Sequence, residues 1–216
     1  MAPGGPLLVT KTLIPRRRED TVTRRRLLDA LHQHIDRRLL LVIASAGSGK
    51  TTLLVDFAHE VDIPVGWYTL DPGDRDLKVF FTYLVEAVRR RFPGFGQQTS
   101  ALLEHVKDPA REIPSLVAAF VNDLYADVQD FFTLVIDDYH CVDESPLVNQ
   151  AVDELLRFLP ENVRLVLSSR TIPRITLSRL AARLQVFGLG MVDLRFTGDE
   201  EPATSTVTLT YTISAS

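Results

Sequence analysis

The chain has 216 residues, 45% of them hydrophobic, one cysteine (Cys141) and a mean hydropathy near zero. This is enough apolar material for one substantial core, and a lone cysteine excludes an internal disulfide and suits a reducing compartment. A formal net charge of −4 gives no bulk reason to expect nucleic-acid binding. No apolar run approaches the ~20 residues of a membrane span, so a soluble, cytoplasmic chain without membrane partners is expected.

Residues 1–20 are rich in Pro and Gly and then in Arg, and read as an N-terminal arm. The clusters Arg16-Arg17-Arg18 and Arg24-Arg25-Arg26 read mostly as solvated faces. From Thr23 to Ile35, the apolar residues Leu27, Leu28, Leu31 and Ile35 fall at helical spacing. The apolar run Leu39 to Ile43 predicts a strand, and a small-residue loop follows it. Leu53, Leu54, Phe57, Ala58 and Val61 then predict a helix to about Val61. Val65 to Leu70 reads as a second strand that ends in the acidic turn Asp71-Pro-Gly-Asp74.

Asp76 is placed to cap the next helix, whose stripe runs Val79, Phe80, Tyr83, Leu84, Ala87, Val88. Arg89-Arg90-Arg91 complement its C-terminal dipole and Pro93-Gly94 ends it. Between Gly94 and about Pro109 the pattern is weak. Pro114 to Tyr125 predicts a helix, Phe131 to Ile136 a strand apolar on both faces, and Ser145-Pro146 a capped helix start. Val163 to Leu167 and Leu184 to Phe187 complete five strands that alternate with helices, the pattern of a three-layer α/β domain with a parallel sheet. After Glu201 no charged residue occurs, and Thr206 to Ile213 alternate with a period of two. This reads as a strand or as an unrelated extension.

The loop after the first strand carries the chemistry. Ala44-Ser-Ala-Gly-Ser-Gly49-Lys50-Thr51 matches G-x-x-x-x-G-K-[ST] except that its first position is alanine, which keeps that residue out of the left-handed region. Amides of Ala46, Gly47, Ser48, Gly49, Lys50, Thr51 and Thr52 can then surround a phosphate chain. Lys50 can reach the β- and γ-phosphates and the Thr51 hydroxyl can sit on Mg²⁺. The bland alternative is a Gly/Ser turn with a solvated lysine, but a strand before and a helix after supply the context the motif needs.

Asp137-Asp138 directly follow the third strand's Leu134-Val-Ile136. Beside a phosphate loop, Asp137 is assigned to Mg²⁺ and Asp138 to the attacking water, against the alternative of two turn aspartates. Ser168-Ser169-Arg170 end the fourth strand. Arg170 is placed to read γ-phosphate charge; a cap or surface ion pair is its alternative.

Seven segments together carry a family resemblance: Thr21-Val22-x-Arg24-x-x-Leu27-Leu28, Ala46 to Thr52, Gly66-Trp67-Tyr-x-Leu70-Asp71-x-x-Asp74, Val135-Ile-Asp-Asp-Tyr-His140, Leu159-Pro-Glu-Asn162, Ser169-Arg170-x-x-Pro173 and Leu194-Arg-Phe-Thr197. The set resembles the nucleotide-binding domain of STAND-class P-loop ATPases, in the branch of maltose-regulon-activator-like and large LuxR-type transcriptional regulators. The resemblance implies a five-stranded sheet of order 5-1-4-3-2, with residues 21–198 forming the nucleotide-binding domain and 199–216 a tail unlike the family.

It further implies an ATP/ADP switch with Mg²⁺, slow hydrolysis, self-association in the ATP state, and Arg24 near the nucleotide. Trp67 reads as packing rather than base-stacking. Past Phe196-Thr197-Gly-Asp-Glu-Glu201 the likeness stops, so the family's lid, sensor and DNA-reading parts are expected to lie outside this chain, which should not bind DNA specifically. Rival readings are another P-loop ATPase or phosphotransferase, or a remnant that binds nucleotide weakly.

Overall fold

The computed structural model describes residues 7–17 and 23–195. Its elements are α1 (Arg25–Gln33), β1 (Leu39–Ile43), α2 (Lys50–Glu60), β2 (Val65–Thr69), α3 (Leu77–Arg89), α4 (Gln97–His105), α5 (Pro109–Asp127), β3 (Phe132–Asp137), α6 (Pro146–Phe158), β4 (Val163–Ser169), α7 (Leu177–Ala182) and β5 (Val186–Leu189). The five strands form one parallel sheet of order β2-β3-β4-β1-β5, as expected.

Strand alternation sorts the core into two layers. Along β1, Leu39 and Leu41 face the layer filled from α3, α4, α5, α6 and α7, where Phe80, Phe81, Phe120 and Leu155 are buried. Leu40 and Val42 face the other way, onto Leu27, Leu28 and Leu31 of α1 and Leu53, Leu54 and Phe57 of α2. Helices therefore cover both faces, and every strand points its carboxyl end toward the edge that holds the phosphate loop. Among the described residues no helix is long and apolar enough to cross a membrane.

Several local signals act as read. The Asp76 carboxylate accepts from the Lys78 and Val79 amides at the start of α3, and Ser145 caps α6 ahead of Pro146. Trp67 is 1% exposed and donates from Nε1 to Thr69 Oγ1, so it packs.

Four differences have physical reasons. First, α4 occupies the stretch without a clear pattern. Its first turn is polar and its N-cap is Gly96, but the buried Asp123 of α5 accepts from the amides of Gln98 and Thr99 and from the Thr99 hydroxyl, capping it from outside. Second, α5 begins at Pro109 and carries Pro114 in its interior, forgoing the one bond that proline cannot donate. Third, β5 starts at Val186 because Leu184 sits at φ +53 in the turn before it. The fourth is a 3-10 turn, Val9–Thr12, within the arm, which buries Lys11 against the acidic turn after β2. The period-two stretch 206–213 lies outside the described residues.

Candidate functional site

Residues 44–49 link β1 to α2 without regular structure, and Gly47 and Gly49 both adopt φ +78. Left-handed backbone at those two positions needs glycine and folds the loop back over the start of α2. Ala44, by contrast, is not among the positive-φ residues, as its side chain requires. Ser48 Oγ donates to the Ser45 carbonyl at 2.8 Å and narrows the loop. α2 then opens at Lys50 with its first amides and its positive dipole end at the loop.

Lys50 is buried, and its ammonium donates to the carbonyls of Ala44 and Ser45 at 2.8 and 3.0 Å. Burial lowers its pKa, the charges of Asp138 and Asp137 oppose that, and Arg170 adds to it. The ammonium has three donors, so a third can serve an anionic oxygen.

Across the loop, Thr51 Oγ1 donates to Asp137 Oδ2 at 2.8 Å. Asp137 ends β3 at 1% exposure, and its other oxygen accepts from Ser168 Oγ. Burial raises its pKa, with the Ser168 and Thr51 hydroxyls pulling the other way. Ser168 Oγ also accepts from the Asp138 amide at 3.0 Å. One hydroxyl on β4 thus holds both acids of the pair.

Asp138 stands at φ +60, ψ +40, which turns its side chain away from the strand direction of Asp137. It is half-buried, and its Oδ1 lies 3.6 Å from His140 Nδ1. Burial lowers the His140 pKa, with Asp138 opposing and the Arg170 and Lys50 charges adding. Arg170 follows β4 directly and is exposed, close enough for its charge to act on both Lys50 and His140. Cys141 is half-buried, and burial raises its thiol pKa, which fits packing rather than nucleophilic chemistry.

Arg24 also comes to the loop, but to its backbone. Its Nη1 donates to Ser48 O at 3.1 Å and its Nη2 to Gly49 O at 2.7 Å. Of the predicted residues, Ala46 and Gly47 lie exposed in the loop, Ser48 and Gly49 are half-buried, and Thr52 is half-buried in the first turn of α2.

The sequence reading missed Ser168. Its signal was available: parallel pairing of Ile136 with Leu167 sets Asp137 level with Ser168. It also missed Lys11, whose ammonium donates to both oxygens of the fully buried Asp74 at 2.6 Å and reaches Asp71 at 3.0 Å.

The donor set fits a Mg²⁺-nucleotide. Mg²⁺ takes one or two carboxylates or hydroxyls and completes its shell with phosphate oxygens and waters. Asp137 and Thr51 supply such a pair 2.8 Å apart. Among the described residues no group of three or more His, Cys, Asp or Glu gathers as an all-protein metal cage.

No protein-family model matches the chain. It is 36% identical over 194 residues to the HTH-type transcriptional regulator MalT of Klebsiella pneumoniae (strain 342), and 34% identical over 194 residues to MalT of Cronobacter sakazakii. Each alignment covers 90% of this chain and 21% of the relative, so the chain spans about a fifth of the length of the regulators it matches. Among solved structures, the Aeropyrum pernix ORC1 protein in complex with DNA superposes with TM-score 0.51 at 18% identity. That superposition covers 82% of this chain and 46% of the other, and is a likeness of fold alone. Over nine-tenths of its length this chain is homologous to the MalT-type transcriptional regulators, and it has the fold of a P-loop ATPase domain.

Proposed function

We propose that the chain is the ATP-binding, slowly hydrolysing switch domain of a signal-responsive transcriptional regulator. The observation that carries this reading is the Thr51–Asp137 pair, fixed 2.8 Å apart beside the Lys50 ammonium at the N-terminus of α2. The Lys50 ammonium and the positive end of α2 converge there beside a carboxylate that can hold a divalent cation, and a polyanion carrying such a cation is what they suit.

In this reading the loop amides from Ala46 to Thr52 cradle the phosphates, Lys50 neutralises the terminal ones, and Thr51 with Asp137 holds Mg²⁺. The bound ion would supply charge neutralisation at the transferring phosphoryl group. Asp138 orients and deprotonates the attacking water, while Ser168 fixes the backbone from which Asp138 projects. Arg170 stands on the carboxyl edge of the sheet to read γ-phosphate charge. Adenine is the base that the resemblance to STAND-class ATPases implies, self-association belongs to the ATP state, and specific DNA binding is not assigned to these residues.

A switch needs energetics as well as a pocket. Nucleotide identity shifts a two-state equilibrium only by the difference in affinity for the two states, so ATP and ADP must differ by about 2–3 kcal/mol between them. Multiple-turnover kinetics combined with ADP release measurements test the reading. Tight ADP retention with turnover well below ~1 s⁻¹ supports the switch. Turnover at ~1–100 s⁻¹ points to a phosphotransferase or working ATPase instead, and failure to bind either nucleotide points to a remnant.

A further inference from the structure

Arg24 joins two parts of the chain that the sequence separates widely. Besides the Ser48 and Gly49 carbonyls of the phosphate loop, its Nη1 donates to Leu194 O at 3.1 Å. Leu194 is 3% exposed and lies in the turn that follows β5. The same turn is closed by Asp193 Oδ2, which accepts the Gly190 amide at 2.8 Å, and Arg26 Nη2 donates to Asp193 O at 2.7 Å. Two arginines, one before α1 and one in its first turn, therefore hold the segment 190–195, and one of them also holds the loop.

The loop contacts have a directional consequence. In a trans peptide the C=O and the following N–H point to opposite sides. Holding the Ser48 and Gly49 carbonyls against the guanidinium therefore aims the Gly49 and Lys50 amides to the other side. The contact is close: a Cβ on Gly49 would lie 2.7 Å from Arg24 Nη2, so glycine is needed there for space as well as for φ. The planar guanidinium fork suits several carbonyls held in fixed geometry, which a lysine could not match.

We infer that Arg24 is a positioning residue that couples the 190–195 segment to the phosphate loop, so that displacing this segment lowers the loop's affinity for a nucleoside triphosphate or diphosphate. This rests on the proposed nucleotide site for its ligand, but the strut itself is a property of the nucleotide-free chain. Arg24 acts on the phosphate chain through the backbone of the loop, and the 190–195 turn acts chiefly through Arg24, beside one direct side-chain contact, the Ser45 hydroxyl donating to the Met191 sulfur at 3.5 Å.

Hydrogen exchange on the nucleotide-free protein tests the strut alone. Arg24→Ala should speed exchange in two separate peptides, one spanning 46–52 and one spanning 190–195, while the β3 and β4 amides stay protected. Faster exchange in only one of them, or in neither, overturns the coupling. If Arg24→Ala fails to fold, Arg24→Lys serves, with smaller changes in the same two peptides.

A fluorescent ADP titration then tests the consequence as a double-mutant cycle. Asp193→Ala opens the turn without touching a loop atom. It should weaken ADP binding about tenfold in the Arg24 background and less than about twofold with Arg24→Ala, the non-additivity expected of coupled residues. Equal effects in both backgrounds, or none in either, overturn the inference. Loss of ADP binding by the parent protein itself, with the two-peptide exchange result intact, leaves the strut standing and removes the nucleotide reading instead.

Discussion

Replacing Lys11 by methionine should destabilise the fold by about 3 kcal/mol. Asp74, at 0% exposure, has its carboxylate compensated by the Lys11 ammonium on both oxygens at 2.6 Å, and by one backbone donor, the Asp71 amide, at 2.7 Å. Removing one partner of a buried pair costs ~3–5 kcal/mol because a charge is left without compensation. The remaining Asp71 amide places the expected cost at the low end of that range. Lys11 also lies 4.4 Å from the Tyr83 ring centre, and the Leu8 amide donates to the Tyr83 hydroxyl, so the arm loosens together with the ion pair.

For a domain of this size, 3 kcal/mol lowers Tm by roughly 6–12 °C. Adding Asp74→Asn removes the orphaned charge, and the double variant should recover most of the loss. Urea titrations followed by circular dichroism give the four stabilities of the cycle. A cost under about 1 kcal/mol for Lys11→Met, or simple additivity of the two substitutions, would show that Asp74 does not depend on this ammonium.

The pH dependence has a definite sign. Burial opposes the Lys11 charge, but its bonds to Asp74 and Asp71 outweigh this and raise its pKa. That contribution is therefore complete below 10.5 and is lost as pH rises through the higher folded value. Asp71 goes the other way. Burial is outweighed by Lys11 and the Gly73 amide, its pKa falls, and its contribution is present above 3.8 and lost on acidification through the lower folded value.

Three further outcomes are expected. Asp137→Asn removes a charge that burial raises in cost at neutral pH, and the Thr51 and Ser168 hydroxyls can turn to serve the amide. Scanning fluorimetry should therefore show an unchanged or higher Tm without ligand and a weaker Mg²⁺ effect on nucleotide binding; a fall of more than about 4 °C would contradict this. Asp138→Asn, which tolerates the left-handed backbone, should keep ATP binding and lower turnover by ~100-fold or more, and equal rates would remove the water-activation role. Asp123→Ala should cost about 1–2 kcal/mol and raise hydrogen exchange first in residues 97–105, since that carboxylate caps α4 from α5.

What the sequence made legible follows from how local each signal is. The five strands and the helices with clean apolar stripes depend on residues within a turn or two, and they form where their patterns place them apart from the starts of β5 and α5. The left-handed glycines and the Thr51–Asp137 meeting also follow from a motif whose parts are short and whose sheet order is strongly constrained. α4 was not legible because its cap, Asp123, stands in another helix.

Lys11 was hidden for the same reason. A lysine in a Pro- and Arg-rich arm carries no local mark of burial, and only the tertiary meeting with Asp74 shows it. Arg24 was read as a nucleotide neighbour. Its bonds to two loop carbonyls and to Leu194 require the turn after β5 to fold against the loop, a meeting that no local pattern marks.

Isothermal titration calorimetry of Mg²⁺-ADP and Mg²⁺-ATP into the folded chain, run beside Lys50→Ala, reads phosphate binding at this loop without an intermediary. Saturable heat at one site is expected for the parent chain and none for the lysine variant. Absence of heat from the parent, or equal heat from the variant, would contradict the claim that this loop holds the phosphates.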